Sequence, residues 1–208
     1  MPDEVLVADD GSAEPTAQVV REFSAVAGIP VKHVWHEDKG FRLAAIRNKG
    51  IAAAVSDYII QIDGDIILHP DFVKDHKRFA RKGSFVTGSR TLLSKELSGK
   101  LLAMHAGNLL PHFPGSHRFP WLTPLFAGLR SSDGTYVRGC HMAFWREDLL
   151  RVNGYNEDIT GWGREDSELS WRLMNAGLRK RFLKFGAVEY HLYHPEASRA
   201  CDEANIAI

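Results

Sequence analysis

The sequence has only two cysteines, Cys140 and Cys201, too few and too widely separated for a disulfide framework or a metal knuckle. It has no excess of either charge: Lys and Arg total 26, and Asp and Glu also total 26. That balance supplies no global field to recruit nucleic acid, so recognition must be local. It also lacks an uninterrupted apolar run of the roughly 18 residues a membrane span needs, because Asp63 and Asp65 break the best candidate, "YIIQIDGDIIL". Its first residues, "MPDEVLVADD", carry acids where a signal peptide carries bases. These absences predict a cytoplasmic protein, compatible with peripheral work at the inner face of a membrane.

What the 208 residues contain is a globular composition, 44% hydrophobic and 25% charged, enough for one domain with a sizeable core. "EVLVADD", "VKHVWHE" and "YIIQIDGD" read as strands, while "EPTAQVVREFSAVAGIP", with Val19, Phe23 and Val26 at helical spacing, and the Ala-rich "FRLAAIRNKGIAAAV" read as helices between them. Such alternation predicts an α/β fold with a mostly parallel sheet flanked by helices. "PDFVKDHKRFARKG" continues it as a helix and "SFVTGSRTLL" as a strand. Residues 107–134, rich in proline and glycine, predict a long irregular loop. "TYVRGCHMAFW", "RKRFLKFG" and "AVEYHLYH" are then strand-like, and "REDLLRVNG" is a short helix. One domain is expected over 1–208.

Ligands of open α/β sheets bind beyond the carboxyl ends of strands, where this chain places paired aspartates. Asp9 and Asp10 lie in "VADDGS", and Asp63 and Asp65 in "IDGDI". Two carboxylates either side of Gly64 can converge on a hard cation that neutralises nucleotide phosphates, although the same residues also make an ordinary polar turn. In "GWGREDSELSWRLMNAG", Glu165, Asp166 and Glu168 occupy the first turn of an amphipathic helix closed by Gly177. Acids there complement the helix dipole, and Glu168 can pair with Arg172. The preceding glycines and Trp162 suggest something further, an aromatic plate on which a sugar face can stack. His191 and His194 in "EYHLYHP" follow a strand, and either can complete a cation site.

Together these residues resemble family 2 glycosyltransferases of the GT-A (Rossmann-like) fold, of the kind whose C-terminal segment is shared with galactosyltransferases and bacterial chondroitin-type polymerases. The resemblance rests on "VADDGS", "FRLAAIRNKGI", "QIDGDIILHPDFV", "VRGCHMAFWREDLLRVNGYNEDITGWGREDSELSWRL" and "EYHLYHP" in that order, over most of residues 4–195. It implies a metal-dependent, inverting transfer from a UDP-sugar donor to a glycan or lipid-linked acceptor in polysaccharide or lipopolysaccharide assembly. It also implies a nucleotide-binding half at about 1–95 and an acceptor half at about 96–208: Asp9, Asp10, Arg47 and Asp63 would bind the nucleotide sugar, Asp10 at uracil or ribose assisted by Arg47, and Asp63 against ribose and metal. Asp65 would ligate Mn2+ or Mg2+ with His191, His194 being the reserve. Asp166 would be the general base, Glu165 would hold acceptor or donor, and Trp162 would form the acceptor platform. The family's usual first strand and its Pro-Thr-Tyr-Asn-like loop have no counterpart before "VADDGS", so the first strand is expected to be missing and the chain to be N-terminally incomplete. Two other readings remain: a non-catalytic nucleotide-sugar or glycan-binding relative, and a nucleotidyltransferase.

Overall fold

The structure, a computed structural model, describes residues 1–104, 118–195 and 201–206. The chain forms two compact units that interleave along the sequence. The first comprises residues 1–59, 145–173 and the C-terminal segment from 197, and the second comprises 60–144 and 174–196. This division does not follow the expected halves about residue 95.

In the first unit, β1 (Val5–Asp9) pairs in parallel with β2 (Val31–Trp35), from Val5 opposite Val31 to Asp9 opposite Trp35. Helix α1 (Glu14–Val26) accommodates Pro15 in its first turn, where proline removes no needed donor. Its expected apolar triad faces outward: Val19 is 64% exposed and Val26 80%, and Val20 is the buried position. Helix α2 (Leu43–Ala53) owes its small residues to close packing, since a Cβ on Gly50 would lie 3.6 Å from that of Ala8 on β1. Ala44 and Ile46 are accordingly buried, and Arg47 and Asn48 are carried on the same rigid helix. Helices α6 (Arg146–Arg151) and α7 (Glu165–Asn175) add Leu149, Leu169 and Leu173 to the buried set; α7 runs into the second unit at its last two residues. Gly177, at φ +90°, ends it as expected.

The second unit holds a four-stranded sheet in the order β3 (Tyr58–Ile62), β7 (His141–Trp145), β5 (Ser84–Gly88), β8 (Arg179–Leu183). β5 is antiparallel to β7 and parallel to β8. All five β5 residues are buried, which explains why "SFVTG" shows no alternation of apolar and polar side chains. Phe85 stacks on Phe144 with centroids 6.2 Å apart, and such side chains each contribute about 1.5–3 kcal/mol on full burial. A smaller sheet, β4 (Ile66–Leu68), β9 (Glu189–His191), β6 (Thr91–Leu92), is covered by α4 (Lys95–Met104) through Leu93, Leu97, Leu101 and Tyr190. The α/β class is as expected, with the strands distributed over three sheets of mixed direction. Helix α3 (Phe72–Phe79) is fixed by Asp75, which accepts both hydrogen bonds of the Arg118 fork at 2.8 and 2.7 Å and the Ala187 N–H at 2.9 Å.

The expected loop 107–134 falls partly outside the described residues; its described part contains α5 (Thr123–Phe126). Of "TYVRGCHMAFW" only residues 141–145 are a strand. The expected strand "SFVTGSRTLL" is split into β5 and β6, which belong to different sheets, while the short β4, α4 and the terminal α8 (Asp202–Ile206) are not anticipated, for their patterns are too brief or too mixed to stand out.

Gly88 carries a sharp steric demand, because a Cβ there would lie 2.2 Å from the fully buried His141 ring. Gly88→Ala is expected to cost about 1–3 kcal/mol by overpacking. A fall in melting temperature of roughly 2–10 °C would register it, and an unchanged melting temperature would show that the ring can move aside.

Candidate active site

At the end of β1 both aspartates are already engaged. Asp9 is buried, with Oδ1 accepting the Ser12 N–H at 2.8 Å and Oδ2 lying 2.8 Å from His33 Nε2. Burial pushes its carboxyl up, but the bonds from Ser12 and then His33 prevail and hold it below its ordinary value. Asp10 places Oδ1 2.5 Å from His36 Nε2 and accepts the Arg42 N–H on Oδ2 at 2.7 Å. The turn closes tightly: Gly11 sits at φ +94°, and a Cβ on it would come within 2.5 Å of Asp38 Cα. His33 and His36 escaped the sequence reading, which treated "VKHVWHE" only as a strand; their signal was two histidines at its end.

One turn into α2, Arg47 is buried and shared by two carboxylates. Its Nη1 is 3.1 Å from Glu165 Oε1 and 2.9 Å from Asp166 Oδ1, and its guanidinium lies 5.2 Å from the Tyr155 ring centroid. Arg47, which the resemblance assigns to the nucleotide sugar, is thus bonded to the acids at the start of α7. Asn48 secures the neighbouring backbone, donating to Tyr155 O at 2.9 Å and Glu157 Oε1 at 2.8 Å while accepting the Tyr155 N–H at 2.7 Å. The first-turn acids of α7 thus separate by environment. Glu168 binds Arg172, which also donates to Val152 O and Gly154 O, so it is a structural ion pair. Glu165 is 7% exposed, and burial first, then the neighbouring Asp166, raises its pKa to about 7 against the opposing pull of Arg47. Trp162, 40% exposed, precedes them between Gly161 and Gly163, both at positive φ.

In the second unit, Asp63, Gly64 and Asp65 form the turn between β3 and β4. The antiparallel register sets Ile66 opposite His191, and Leu192 N–H donates to Asp65 O at 3.0 Å, so strand pairing itself brings Asp65 to the end of β9. One donor atom from each of Asp65, His191 and His194 lies within 4.8 Å of the others. Asp65 Oδ2 is 3.6 Å from His191 Nε2 and 3.2 Å from His194 Nε2. Both imidazoles place Nδ1 on a backbone carbonyl, His191 on Leu192 O at 2.9 Å and His194 on Pro195 O at 2.7 Å. A carbonyl only accepts, so each Nδ1 carries the proton, and a neutral ring then turns its Nε2 lone pair toward Asp65. Asp65 Oδ1 is buried without a hydrogen-bond partner. An oxygen donor and two imidazole nitrogens suit a divalent cation such as manganese, and the unsatisfied oxygen is what such an ion would satisfy. The structure therefore brings His191 and His194 together with Asp65 rather than choosing between them; Asp63 stands outside the trio.

Behind the trio lies a buried layer that the sequence did not disclose. Glu189 is fully buried on β9, and burial above all, with the charges of Asp63 and Asp65 adding, raises its pKa to about 8. Cys140 is pushed up to about 12, first by burial and next by Glu189. His141 Nδ1 donates to Ser89 O at 3.1 Å, and its Nε2 therefore accepts from His76 Nε2 at 3.0 Å. Burial lowers the pKa of His141 to about 4 and that of His76 well below the usual value, so both rings stay neutral near pH 7.

Carboxylates at strand ends and a three-donor cluster sit on an α/β framework, and the comparisons define the class. Residues 1–149 match the family described as glycosyl transferase family 2, and residues 129–195 match the one described as the N-terminal domain of galactosyltransferase. The chain belongs to glycosyltransferase family 2. It is 28% identical to the chondroitin synthase of Escherichia coli over 97% of this chain and 32% of that protein. It is 29% identical to a validoxylamine A glucosyltransferase of Streptomyces hygroscopicus over 84% of this chain and 44% of that one. A hyaluronan synthase of Pasteurella multocida is 25% identical over 97% and 22% of the two lengths. The chain thus spans less than half the length of these relatives. Among solved structures, S. aureus TarS 1-349 in complex with UDP-GlcNAc superposes with TM-score 0.66 at 16% identity, covering 94% of this chain and 52% of that one. GalNAc-T7 with UDP, GalNAc and Mn2+ gives 0.65 at 15%, covering 93% and 38%. The fold is GT-A. Among the described residues no helix is long and apolar enough to cross a membrane.

The raised pKa of Glu165 fixes a sign. Between its ordinary 4.5 and about 7 the folded chain keeps a proton that the unfolded chain has released, so stability falls as pH rises through that window. Glu165→Gln should remove this contribution, making the slope of melting temperature against pH less negative between about pH 5 and about pH 7, on a background where Glu189, raised to about 8, adds the same sign and the lowered His76 and His141 add the opposite one. An identical slope in the variant would place the Glu165 carboxyl in water.

Proposed function

We propose that the chain is the catalytic domain of an inverting, divalent-cation-dependent glycosyltransferase that moves a hexosyl or N-acetylhexosaminyl group from a UDP-sugar to a hydroxyl of a glycan or lipid-linked acceptor. The observation that carries this reading is the convergence of Asp65, His191 and His194, residues the family resemblance had singled out, through the β4–β9 register. Relatives that are chondroitin and hyaluronan synthases favour polysaccharide assembly as the setting, and structures solved with UDP-GlcNAc, or with UDP, GalNAc and Mn2+, favour a UDP-linked donor and manganese.

Asp166 is the general base. Its carboxylate takes the acceptor hydroxyl proton as that oxygen bonds to the anomeric carbon opposite the departing diphosphate, so configuration inverts. Arg47 holds it by a charge-assisted bond that fixes the carboxylate in place. Glu165, sharing that cation, orients the bound sugar hydroxyls. Trp162 gives the acceptor's apolar sugar face a surface to stack on. Asp65, His191 and His194 would hold Mn2+ or Mg2+, which supplies charge stabilisation for the leaving diphosphate. Asp63 accepts from the ribose. Asp10 retains acceptor capacity beyond its bonds to His36 and Arg42, because a carboxylate offers about four lone-pair sites, so it can still receive a donor from the uracil or ribose while Asp9 keeps the turn in place.

UDP release from a panel of UDP-sugars, with and without manganese, tests the reading directly, and no release above background from any of them would reject it. Asp65→Ala should abolish manganese-dependent UDP binding measured by calorimetry. His191→Ala should cost more than His194→Ala, because His191 is buried with its ring held while His194 is exposed. Asp166→Asn should lower turnover by roughly 10²- to 10⁴-fold while donor affinity stays near normal. Turnover within a few-fold of the parent would make Asp166 a helix-terminal acid and nothing more.

A further inference from the structure

The loop before the catalytic acids has a backbone that does not hold itself. Gly161 sits at φ +73°, Gly163 at +101° and Arg164, with a side chain, at +81°, immediately before Glu165 begins α7. Left-handed backbone at a non-glycine residue costs on the order of 1–3 kcal/mol and persists only where the surroundings over-determine it. On one side, Gly161 N–H donates to Phe41 O at 3.0 Å. On the other stands the C-terminal segment 201–206. Asn205, 6% exposed, spends both amide hydrogens on the loop, one to Thr160 O at 3.0 Å and one to Gly163 O at 3.1 Å. Arg164 forks onto Asp202 at 2.6 and 2.9 Å. Cys201 Sγ lies 2.6 Å from where a Cβ on Gly161 would stand, so only glycine admits this approach.

We propose that segment 201–206 is the positioning element of the acceptor site, with Asp202 and Asn205 as its positioning residues. They hold loop 160–164 so that Trp162 presents its ring and Glu165 and Asp166 keep their places when a sugar acceptor binds. The proposal rests on the glycosyltransferase reading and extends it to residues that lie beyond the matched region 129–195. Asn205 is suited to the task because one planar amide with two donors spans the two ends of the loop, which fixes its opening as well as its orientation. The five-residue α8 is too short to persist as an isolated helix, so its order and the loop's are mutually dependent. Small displacements of this loop bear on transfer more than on folding, since misplacing a reacting group by about 1 Å can cost 10²-fold in rate.

The test uses the full chain with manganese, the UDP-sugar selected by the donor panel, and p-nitrophenyl glycosides as acceptor probes. Asn205→Ala and Asp202→Ala should each raise the acceptor KM by about 10-fold, the worth of one or two hydrogen bonds, while donor KM changes by less than about 2-fold. Amide hydrogen exchange at 161–164 should quicken in both. Combining Arg164→Asp with Asp202→Arg should restore much of the acceptor KM lost in either single variant, because aspartate tolerates left-handed backbone and the pair is rebuilt with its charges exchanged. Acceptor KM unchanged in both alanine variants, or donor and acceptor constants worsening in parallel with a fall in melting temperature, would overturn the proposal and leave the glycosyltransferase reading standing. A parent protein that releases no UDP from any donor would instead overturn that reading, and the acceptor role of the segment with it.

Discussion

A single buried guanidinium organises the first unit. Arg47 cannot remain charged out of water without anionic partners, and Glu165 and Asp166 cannot both remain charged side by side without a cation, so each of the three is tenable only because of the others. The surrounding structure serves this arrangement. Small residues seat α2 against β1, Asn48 on that helix pins the Tyr155 backbone, and the Tyr155 ring lies by the guanidinium. Sharing one cation between two carboxylates also makes them unequal. Glu165, the more buried, holds its proton toward neutral pH, and two adjacent acids thereby acquire different chemistry from a single partner.

In the second unit the comparable constraint is strand register. Three antiparallel residue pairs between β4 and β9 place an aspartate from one strand end beside two histidines from the other. A slip by one residue would turn His191 to the opposite face. The carbonyls that receive the two Nδ1 protons complete the specification, since they decide which nitrogen of each ring is available. Below, the neutral His76–His141 pair and Glu189 form a buried polar layer, and Gly88 is the residue that lets the His141 ring approach β5 closely.

Much of this was legible in the sequence, for identifiable reasons. The strands of "EVLVADD" and "SFVTG" are runs rich in β-branched and apolar residues, the helix of "EDSELSWRLMN" carries apolar periodicity, and Gly177 marks a helix end by its backbone alone. The candidate site residues stand out because carboxylates and histidines following apolar strands are conspicuous. What stayed hidden was pairing. That Arg47 faces the α7 acids, that His36 covers Asp10, or that Asn205 bridges the 160–164 loop depends on side chains brought together from distant parts of the chain, and no local pattern encodes it. The outward stripe of Val19, Phe23 and Val26 on α1 misleads for the converse reason: spacing specifies a helix face but not the side that is covered.

The separation of Arg47 from Glu165, 118 residues along the chain, has a consequence for how the protein is made. The first unit is assembled from segments on both sides of the second, so its central ion cluster cannot close until the ribosome has delivered α7. At roughly 5–20 residues per second, α2 waits on the order of 6–24 s with a basic side chain that has nowhere dry to go. During that interval residues 60–144, which include most of three strands of the four-stranded sheet, can already associate locally. Synthesis therefore orders assembly from the interior of the sequence outward, and the α7 acids are the groups that finish the first unit.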